Sequence, residues 1–234
     1  MRRVRVVSFN ILHGRRSDGS GVVDVSLLRH SAAELRPDVL ALQEVDVGVP
    51  RSGRLDQAAA VAEATGTEVV FGKAARVGGI GKYGNALLAR GRMRDVEVAR
   101  LPRAHRRNEP RAVILATVDL GEGTPAVSVA ATHLSIHRPE VHGQLRAVVE
   151  LLTNRPGPRL LVGDLNLLSE EVAPVVEEAG MVLADGSSPT FPNDDPRVRI
   201  DHVAVSSELS VAAVEVVATA SSDHRALVVE VDVP

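Results

Sequence analysis

Several polar side chains that could support catalysis stand where short apolar segments of the sequence end. VVSF is followed by Asn10, VLALQ by Glu44 and VAAT by His133. LLVG is followed by Asp164, with Asn166 two positions later. Aspartate and asparagine are also common in ordinary turns, because their side chains bond to their own backbone. GDLN is therefore consistent with a simple turn as well as with a functional site.

Two motifs near the C-terminus add further polar groups. IDH at 200–202 contains Asp201, and SDHRAL at 222–227 contains Asp223 and His224. Carboxylate and amide oxygens suit Mg²⁺ or Mn²⁺, and histidine exchanges protons near neutral pH. Metal-assisted hydrolysis of a phosphoester requires such groups: a cation on a phosphoryl oxygen, a base for water and a donor for the leaving oxygen.

These side chains can meet only if the elements that carry them bring their ends together. Runs of apolar and β-branched residues predict strands, and helical periodicity predicts helices. The predicted strands are 4–9, 38–43, 68–72, 85–89, 96–101, 112–120, 126–132, 159–162, 199–206, 210–217 and 227–231. The predicted helices are 25–35, 55–65, 139–152 and 174–179. Asp24 is the expected N-cap of the first helix, and Gly66 the expected end of the second.

Two parts of the chain share one plan, in which a strand, a crossover helix and a second strand follow each other. In the first part the polar residues that end the strands are Asn10 and Glu44, 34 residues apart. In the second part they are His133 and Asp164, 31 residues apart. Ligands of α/β sheets bind beyond the carboxyl ends of the strands. We therefore expect these four strand ends to converge on one site.

The composition favours one domain, residues 1–234, with an aliphatic core. Hydrophobic residues make up 44% of the chain and aromatic residues 2%, and the absence of cysteine excludes disulfides and thiolate metal sites. The formal net charge of −3 lacks the basic excess of proteins that hold long nucleic acids, although a local basic patch would not show in this number. No stretch approaches the ~20 apolar residues of a membrane span, and the N-terminus predicts a strand, not a signal peptide. We expect a cytoplasmic protein, and infer no obligate protein partner.

Two patterns resemble ligand sites but lack the required context. GIGKYG at 79–84 matches G-x-G-x-x-G, which binds dinucleotides only between a strand and a helix, and a strand-like run follows it here. His133 and His137 lie four apart, but zinc-binding pairs of that spacing lie on a helix, and His133 ends a predicted strand. We expect neither a dinucleotide site nor a zinc site from these patterns.

Eight segments, in order over almost the whole chain, resemble the endonuclease/exonuclease/phosphatase superfamily, whose fold is that of deoxyribonuclease I. They are SFNI (8–11), LQEV (42–45), YGNALLAR (83–90), EPRAV (109–113), ATHL (131–134), GDLN (163–166), RIDHV (199–203) and SDHRAL (222–227). The resemblance implies an α/β fold, a two-sheet sandwich flanked by helices in four layers (α/β/β/α). It also implies a phosphoesterase that depends on Mg²⁺ or Mn²⁺.

The resemblance implies a role for each matching position. Glu44 is similar to the main metal ligand, with Asn10 beside it, and Asp223 to a further ligand or an outer-shell group. Asp201 and His224 resemble the family's carboxylate–imidazole pair. A carboxylate fixes the orientation of its imidazole partner and favours the protonated form.

The remaining matches concern water and substrate. Asp164 resembles the residue that orients or activates the attacking water, and Asn166 and His133 resemble donors to the phosphate oxygens. Whether the aspartate or the histidine is the base stays open. The expected substrate contacts are Arg111, Tyr83 and Asn85. Arg111 could instead only pair with Glu109.

Two positions depart from the resemblance or lie outside it. Where many relatives carry tyrosine after the position of Asp201, this chain has His202, which could pack, bond to a neighbour or titrate. Arg51 could reach a substrate phosphate, but a solvated loop charge is the favoured interpretation.

The substrate class is open between nucleic acid and a small phosphoester or lipid headgroup. The mild negative charge and compact chain slightly favour the small substrate. The alternative function is a non-catalytic binding module, or an enzyme diverted to another reaction on the same fold.

Overall fold

The computed structural model describes residues 1–184, 186 and 188–234, and its described strands form two six-stranded sheets. In chain order the strands are β1 (Arg2–Asn10), β2 (Val39–Val47), β3 (Glu68–Val77), β4 (Gly81–Ala89), β5 (Arg92–Arg100), β6 (Ala112–Asp119), β7 (Val127–His133), β8 (Arg159–Asp164), β9 (Met181–Leu183), β10 (Asp201–Ser206), β11 (Ser210–Val217) and β12 (Ala226–Val233). The α-helices are α1 (Val25–Glu34), α2 (Gln57–Thr65), α3 (Arg138–Thr153) and α4 (Ser169–Glu177).

Each sheet has a parallel pair of strands at its centre. The first sheet has the order β11-β12-β1-β2-β4-β3, and the second β5-β6-β7-β8-β10-β9. β1 and β2 are parallel and joined through α1, while β7 and β8 are parallel and joined through α3. The predicted pair of strand–helix–strand units is thus confirmed. Antiparallel strands extend both sheets outward.

Three apolar clusters hold the layers together. The first lies between the sheets and includes Val6, Leu87 and Val129. The second packs the second sheet against α3 and α4, and the third packs the first sheet against α1 and α2. Burial of apolar surface is the main force that stabilises such layers. The four-layer α/β/β/α arrangement expected from the resemblance is confirmed.

The predicted helix boundaries at Asp24 and Gly66 are confirmed. The carboxylate of Asp24 accepts a hydrogen bond from the backbone N–H of Leu27 at 2.9 Å. Gly66 closes α2 in the left-handed conformation, with φ of 66°. Within the described part of the chain, no helix is both long and apolar enough to cross a membrane.

Other boundaries differ from those predicted. α4 begins at Ser169 rather than at 174, and Pro174 lies inside it. Its early start is stabilised by Glu171, whose carboxylate accepts the backbone N–H of Leu168 at 3.0 Å. The segment 79–84 lies in the turn of the β3–β4 hairpin and the first part of β4, which agrees with its rejection as a dinucleotide loop. The three-residue strand β9 has no counterpart among the predicted elements.

Candidate active site

A cavity of about 590 Å³ opens where the ends of β1, β7 and β8 meet. It is the place where most of the side chains singled out from the sequence converge. Of the eleven residues predicted to be catalytic, metal-binding or substrate-binding, nine line the cavity: Asn10, Glu44, Tyr83, Arg111, His133, Asp164, Asn166, Asp223 and His224. Asp201 is fully buried beneath His224, and Asn85 is not part of the lining.

Strand geometry places His133 beside Asp164. The two residues are register partners at the ends of the parallel strands β7 and β8. Gly163, just before Asp164, passes so close to β7 that a Cβ atom there would lie 2.0 Å from the carbonyl oxygen of Thr132. The glycine in GDLN is therefore required by the close approach of two backbones.

Glu44 does not end its strand, and on this point the prediction was wrong. It lies inside β2, at a bulge where the pairing with β4 shifts between Leu42 and Val45. Its φ of 57° is unusual for a residue with a side chain, and Asn166 has a similar φ of 51°. Bulges re-aim side chains next to functional sites, and local strain of this kind persists only where surrounding structure enforces it.

The surroundings of Glu44 fit a divalent cation. Its carboxylate receives the Nδ2–H of Asn10 at 3.3 Å and lies 3.3 Å from Nε2 of His13. Among the described residues, no arginine or lysine nitrogen lies within 4.0 Å of this carboxylate, and burial raises the pKa of Glu44. A largely buried carboxylate without a permanent positive partner is costly, and a bound cation would remove that cost. Glu44, Asn10 and Asp223 together offer the hard oxygen atoms that Mg²⁺ or Mn²⁺ prefers.

Asp164, Asp201 and His224 form a second group whose ligand atoms lie within 4.8 Å of one another. Within it, Nδ1–H of His224 donates to Oδ2 of Asp201 at 3.0 Å. Burial alone would lower the pKa of His224, but the charges of Asp201 and Asp164 outweigh it and raise the pKa to about 10. A protonated imidazole is a proton donor, and Nδ1 of His224 is already engaged with Asp201. We therefore interpret this group as a hydrogen-bonded pair next to Asp164.

Asp164 is the centre of the site. Its Oδ2 accepts Nδ2–H of Asn10 at 3.0 Å and lies 3.4 Å from Nε2 of His133 and 3.8 Å from Nε2 of His224. Its Oδ1 accepts the backbone N–H of Asn166 at 3.1 Å. Burial, together with the charge of Asp201, raises the pKa of Asp164 and makes it a stronger base than an ordinary aspartate.

Asn166 uses its amide group on the protein as well. Its Nδ2–H donates to the carbonyl oxygen of Leu134, the residue after β7, at 3.0 Å. The carboxamide that was expected to donate to phosphate is thus held across the two strand ends, at the wall of the cavity.

The geometry around Arg111 fixes the proton on His133. Nη1–H of Arg111 donates to Nδ1 of His133 at 2.9 Å, and the same nitrogen lies 2.9 Å from Oε1 of Glu109. Burial and the charge of Arg111 lower the pKa of His133 far below its ordinary value. Because Nδ1 accepts, the proton of the neutral ring is on Nε2, which faces Asp164. The pairing of Arg111 with Glu109 is confirmed, and Arg111 also lines the cavity, so its contact with a substrate phosphate stays a prediction.

An ion pair between the exposed Arg51 and the buried Asp46, two residues after Glu44, was not expected from the sequence. Arg51 makes two bonds of 2.8 and 2.9 Å to the fully buried carboxylate of Asp46, so it is not the solvated loop charge that was favoured. Arg51 also lies 3.1 Å from Nδ1 of His13 and 5.8 Å from the ring centre of Tyr83. His13 itself has φ of 57° and borders the cavity. The only feature of the sequence that could have indicated this group of side chains is His13, three positions after Asn10.

Asn85 and His202 act in the protein interior. Nδ2–H of Asn85 donates to the carbonyl oxygen of Ala112 at 2.9 Å, which ties β4 of one sheet to β6 of the other. The expected substrate contact by Asn85 does not follow from this position. His202 is fully buried, and its Nε2 lies 2.8 Å from the carbonyl oxygen of Leu167. Of the roles considered for His202, packing and hydrogen bonding to a neighbour agree with the structure.

Comparison with known proteins places these observations in a family. Residues 7–224 match the sequence model of the Endonuclease/Exonuclease/phosphatase family. A search of curated proteins finds no match. The crystal structure of an endonuclease/exonuclease/phosphatase from Beutenbergia cavernae DSM 12333 is 25% identical with a TM-score of 0.83, over 100% of this chain and 72% of that chain.

Two further structures share the fold. The human Nocturnin catalytic domain with bound sulfate anion is 19% identical with a TM-score of 0.76, over 99% of this chain and 94% of that chain. Truncated TDP2 from Caenorhabditis elegans is 21% identical with a TM-score of 0.71, over 98% of this chain and 97% of that chain.

Proposed function

The chain belongs to the endonuclease/exonuclease/phosphatase family, and on this premise we propose that it is a divalent-metal-dependent phosphoesterase. One observation carries the proposal: Oδ2 of Asp164 lies within 3.0 to 3.8 Å of nitrogen atoms from Asn10, His133 and His224, at the base of a cavity that Glu44 also lines. Carboxylate, amide and imidazole groups converge there from separate strand ends. Such a set suits attack of water on phosphorus.

Each group has a role that its environment supports. Asp164, whose pKa is raised by burial, accepts the proton of the attacking water. The protonated His224, held by Asp201, and Nε2–H of the neutral His133 donate to phosphate oxygens. The charge of Arg111 holds the phosphate in the cavity.

Glu44, Asn10 and Asp223 would hold Mg²⁺ or Mn²⁺. When bound, the cation polarises a phosphoryl oxygen and stabilises the charge that develops in the transition state. Asn10 connects this group to the base, since its Nδ2 lies 3.3 Å from Oε1 of Glu44 and 3.0 Å from Oδ2 of Asp164. One carboxamide thereby sets the distance between the cation ligand and the base.

Hydrolysis of bis(4-nitrophenyl) phosphate tests the proposal directly. We expect turnover with Mg²⁺ or Mn²⁺, loss of turnover with a chelator, and a loss of about 10²-fold or more in Asp164→Asn, because a positioned base contributes about that much. Turnover that persists in the chelator would contradict the metal-dependent mechanism. Absence of turnover on any phosphoester, with a correctly folded protein, would favour the alternative of a non-catalytic binding module.

Metal binding can be measured separately from activity. Mn²⁺ titration by calorimetry should show binding that is lost or at least tenfold weaker in Glu44→Gln, because an amide lacks the charge of a carboxylate. Glu109→Gln is the matched control, since Glu109 lines the same cavity but pairs with Arg111. Equal affinities in the two variants would contradict the assignment of Glu44 as the metal ligand.

A further inference from the structure

The loop between β5 and β6 carries three exposed arginines, Arg103, Arg106 and Arg107, and we call residues 103–107 the basic loop. Within the part of the chain that the structure describes, none of the three lies within 4.0 Å of a carboxylate oxygen. Their charges are therefore available to an external anion. The net charge of −3 for the whole chain conceals this local accumulation.

The backbone of the basic loop is fixed although its arginine side chains are exposed. The buried Glu140 of α3 accepts the backbone N–H of Ala104 at 2.7 Å and Nδ2–H of Asn108 at 3.1 Å. Nη1–H of Arg103 also donates to the carbonyl oxygen of Asn108 at 3.2 Å. The carboxylate of Glu140 thus bonds to a backbone and an amide group, and none of the three described guanidinium groups forms an ion pair with it.

The basic loop is attached to the wall of the catalytic cavity. Arg107 is two residues from Glu109, so their Cα atoms are at most about 7.6 Å apart, and Glu109 lines the cavity. On the other side, Gln144 donates to the carbonyl oxygen of Pro102 at 2.7 Å and accepts the backbone N–H of Ser135 at 2.8 Å. Ser135 precedes Ile136, which also lines the cavity. The basic loop is therefore connected on both sides to residues that line the cavity, although its own arginines lie outside the cavity lining.

We propose that the basic loop binds the phosphates of a nucleic-acid strand that continues beyond the scissile phosphate. The inference rests on the proposed phosphoesterase function and names its substrate class. A single phosphate in the cavity already has Arg111 and two histidines, so three more cations outside it exceed the need of a small monoester or diester. A nucleic-acid strand supplies a regular series of phosphates, and arginine is the side chain best suited to grip them.

The cavity wall next to the basic loop suits the other parts of a nucleotide. Ile136 lines the cavity and is 67% exposed, and Phe191 lines the cavity with its ring 4.7 Å from that of His224. An aromatic ring and an apolar side chain next to a phosphate site can hold a base or a sugar irrespective of sequence. The substrate class that fits both features is a polynucleotide bound mainly through its backbone.

Two triple variants with the same change of charge test the inference. The first is Arg103→Gln/Arg106→Gln/Arg107→Gln. The matched control, which replaces three exposed arginines that neither line the cavity nor pair with a described carboxylate, is Arg36→Gln/Arg92→Gln/Arg146→Gln. The substrates are the thymidine dinucleotide, which has one phosphodiester and no flanking phosphate, and a 12-residue oligothymidylate.

We expect the loop variant to lose at least tenfold in kcat/KM on the 12-residue strand at low salt, and less than twofold on the dinucleotide. The control should keep both values within about threefold of the wild type. The slope of log kcat/KM against log salt concentration should become shallower by about 2 in the loop variant, since each lost contact to a single strand removes about 0.7.

A binding measurement separates failure of the inference from failure of the proposed function. Fluorescence anisotropy of a labelled 12-residue oligothymidylate in a chelator needs no turnover, and the loop variant should bind at least tenfold more weakly than the control. If the wild type hydrolyses the dinucleotide but the two variants have equal kcat/KM and equal affinity for the 12-residue strand, the inference is overturned and the phosphoesterase function stands. Loop-dependent binding of inositol hexakisphosphate or of anionic phospholipid vesicles, without loop-dependent binding of the strand, also overturns it.

Discussion

Replacement of Gly163 by alanine tests whether the close approach of β7 and β8 aims Asp164. The new Cβ atom would lie 2.0 Å from the carbonyl oxygen, 3.0 Å from the carbonyl carbon and 3.2 Å from the nitrogen of Thr132, whereas ordinary contact starts at 3.4 Å. The obstructing atoms belong to the backbone of a paired strand and cannot rotate away. The strands must therefore separate by on the order of 1 Å at the residue before the base.

The separation should lower both activity and stability. Displacement of a catalytic group by about 1 Å can cost about 10²-fold in rate, and we expect that loss in kcat for bis(4-nitrophenyl) phosphate. Strain at a special backbone conformation, φ of 154° at Gly163, costs on the order of 1–3 kcal/mol of unfolding free energy. Urea unfolding followed by circular dichroism measures the second quantity.

Gly180→Ala is the matched control for this experiment. Gly180 also has a positive φ, of 70°, but a Cβ atom there would have no neighbour within 4 Å. It follows α4, away from the cavity. We expect Gly180→Ala to lose some stability and to keep its kcat. If Gly163→Ala keeps kcat as the control does, the strand ends do not set the position of Asp164 and the argument is refuted.

Three further replacements probe buried polar groups. Asp201→Asn should lower the free energy of unfolding by about 3–5 kcal/mol near pH 6. Because the pKa of His224 is raised to about 10, the difference in unfolding free energy between variant and wild type should shrink as pH rises from 6.5 through 10. Urea unfolding at a series of pH values measures this difference. A constant difference over this range would contradict the pairing. Arg51→Met leaves the buried Asp46 without its cation, and because Arg51 is itself 39% exposed, we expect a cost of about 1–3 kcal/mol by the same assay; a cost below about 0.5 kcal/mol would show that the pair is dispensable. Asn85→Ala should cost about 1–2 kcal/mol with kcat/KM within twofold of wild type, and a large loss of kcat/KM alone would restore its expected substrate contact.

Convergence of the site could be predicted from the sequence because it depends on strand order and not on side-chain detail. Two strand–helix–strand units with polar residues at Asn10, His133 and Asp164 imply a parallel pair of strands in each unit, and the structure brings the ends of β1 in one sheet and of β7 and β8 in the other to one cavity. The expected order of layers followed from the resemblance. The roles of the individual residues remain proposals that the experiments above address.

Local features could not be read from the sequence when long-range contacts decide them. Nothing in DVLALQEV indicates that β2 continues through Glu44, because the bulge is a property of its pairing with β4. The helix α4 contains Pro174, whose lack of an N–H argues against a helix interior, yet packing of Val172 and Val176 in the second apolar cluster overrides this local preference. Asn85 was an expected site residue through the resemblance of YGNALLAR, but its amide bonds to the carbonyl oxygen of Ala112 in the other sheet, a long-range contact that the sequence does not indicate.

Glu44, Asn166 and His13 all have φ between 51° and 57°, and all three line the cavity. None is a glycine, and although asparagine and histidine adopt positive φ more often than most residues, the residue type does not indicate a left-handed backbone at Glu44. Such conformations cost on the order of 1–3 kcal/mol each, and the surrounding structure must enforce them. For Asn166 the two bonds to Asp164 and to the carbonyl oxygen of Leu134 do so. For Glu44 and His13, side-chain contact at 3.3 Å and the bond between His13 and the backbone carbonyl of Glu44 at 3.1 Å hold the two strained residues against each other. These two contacts therefore help to hold both left-handed residues at the wall of the cavity.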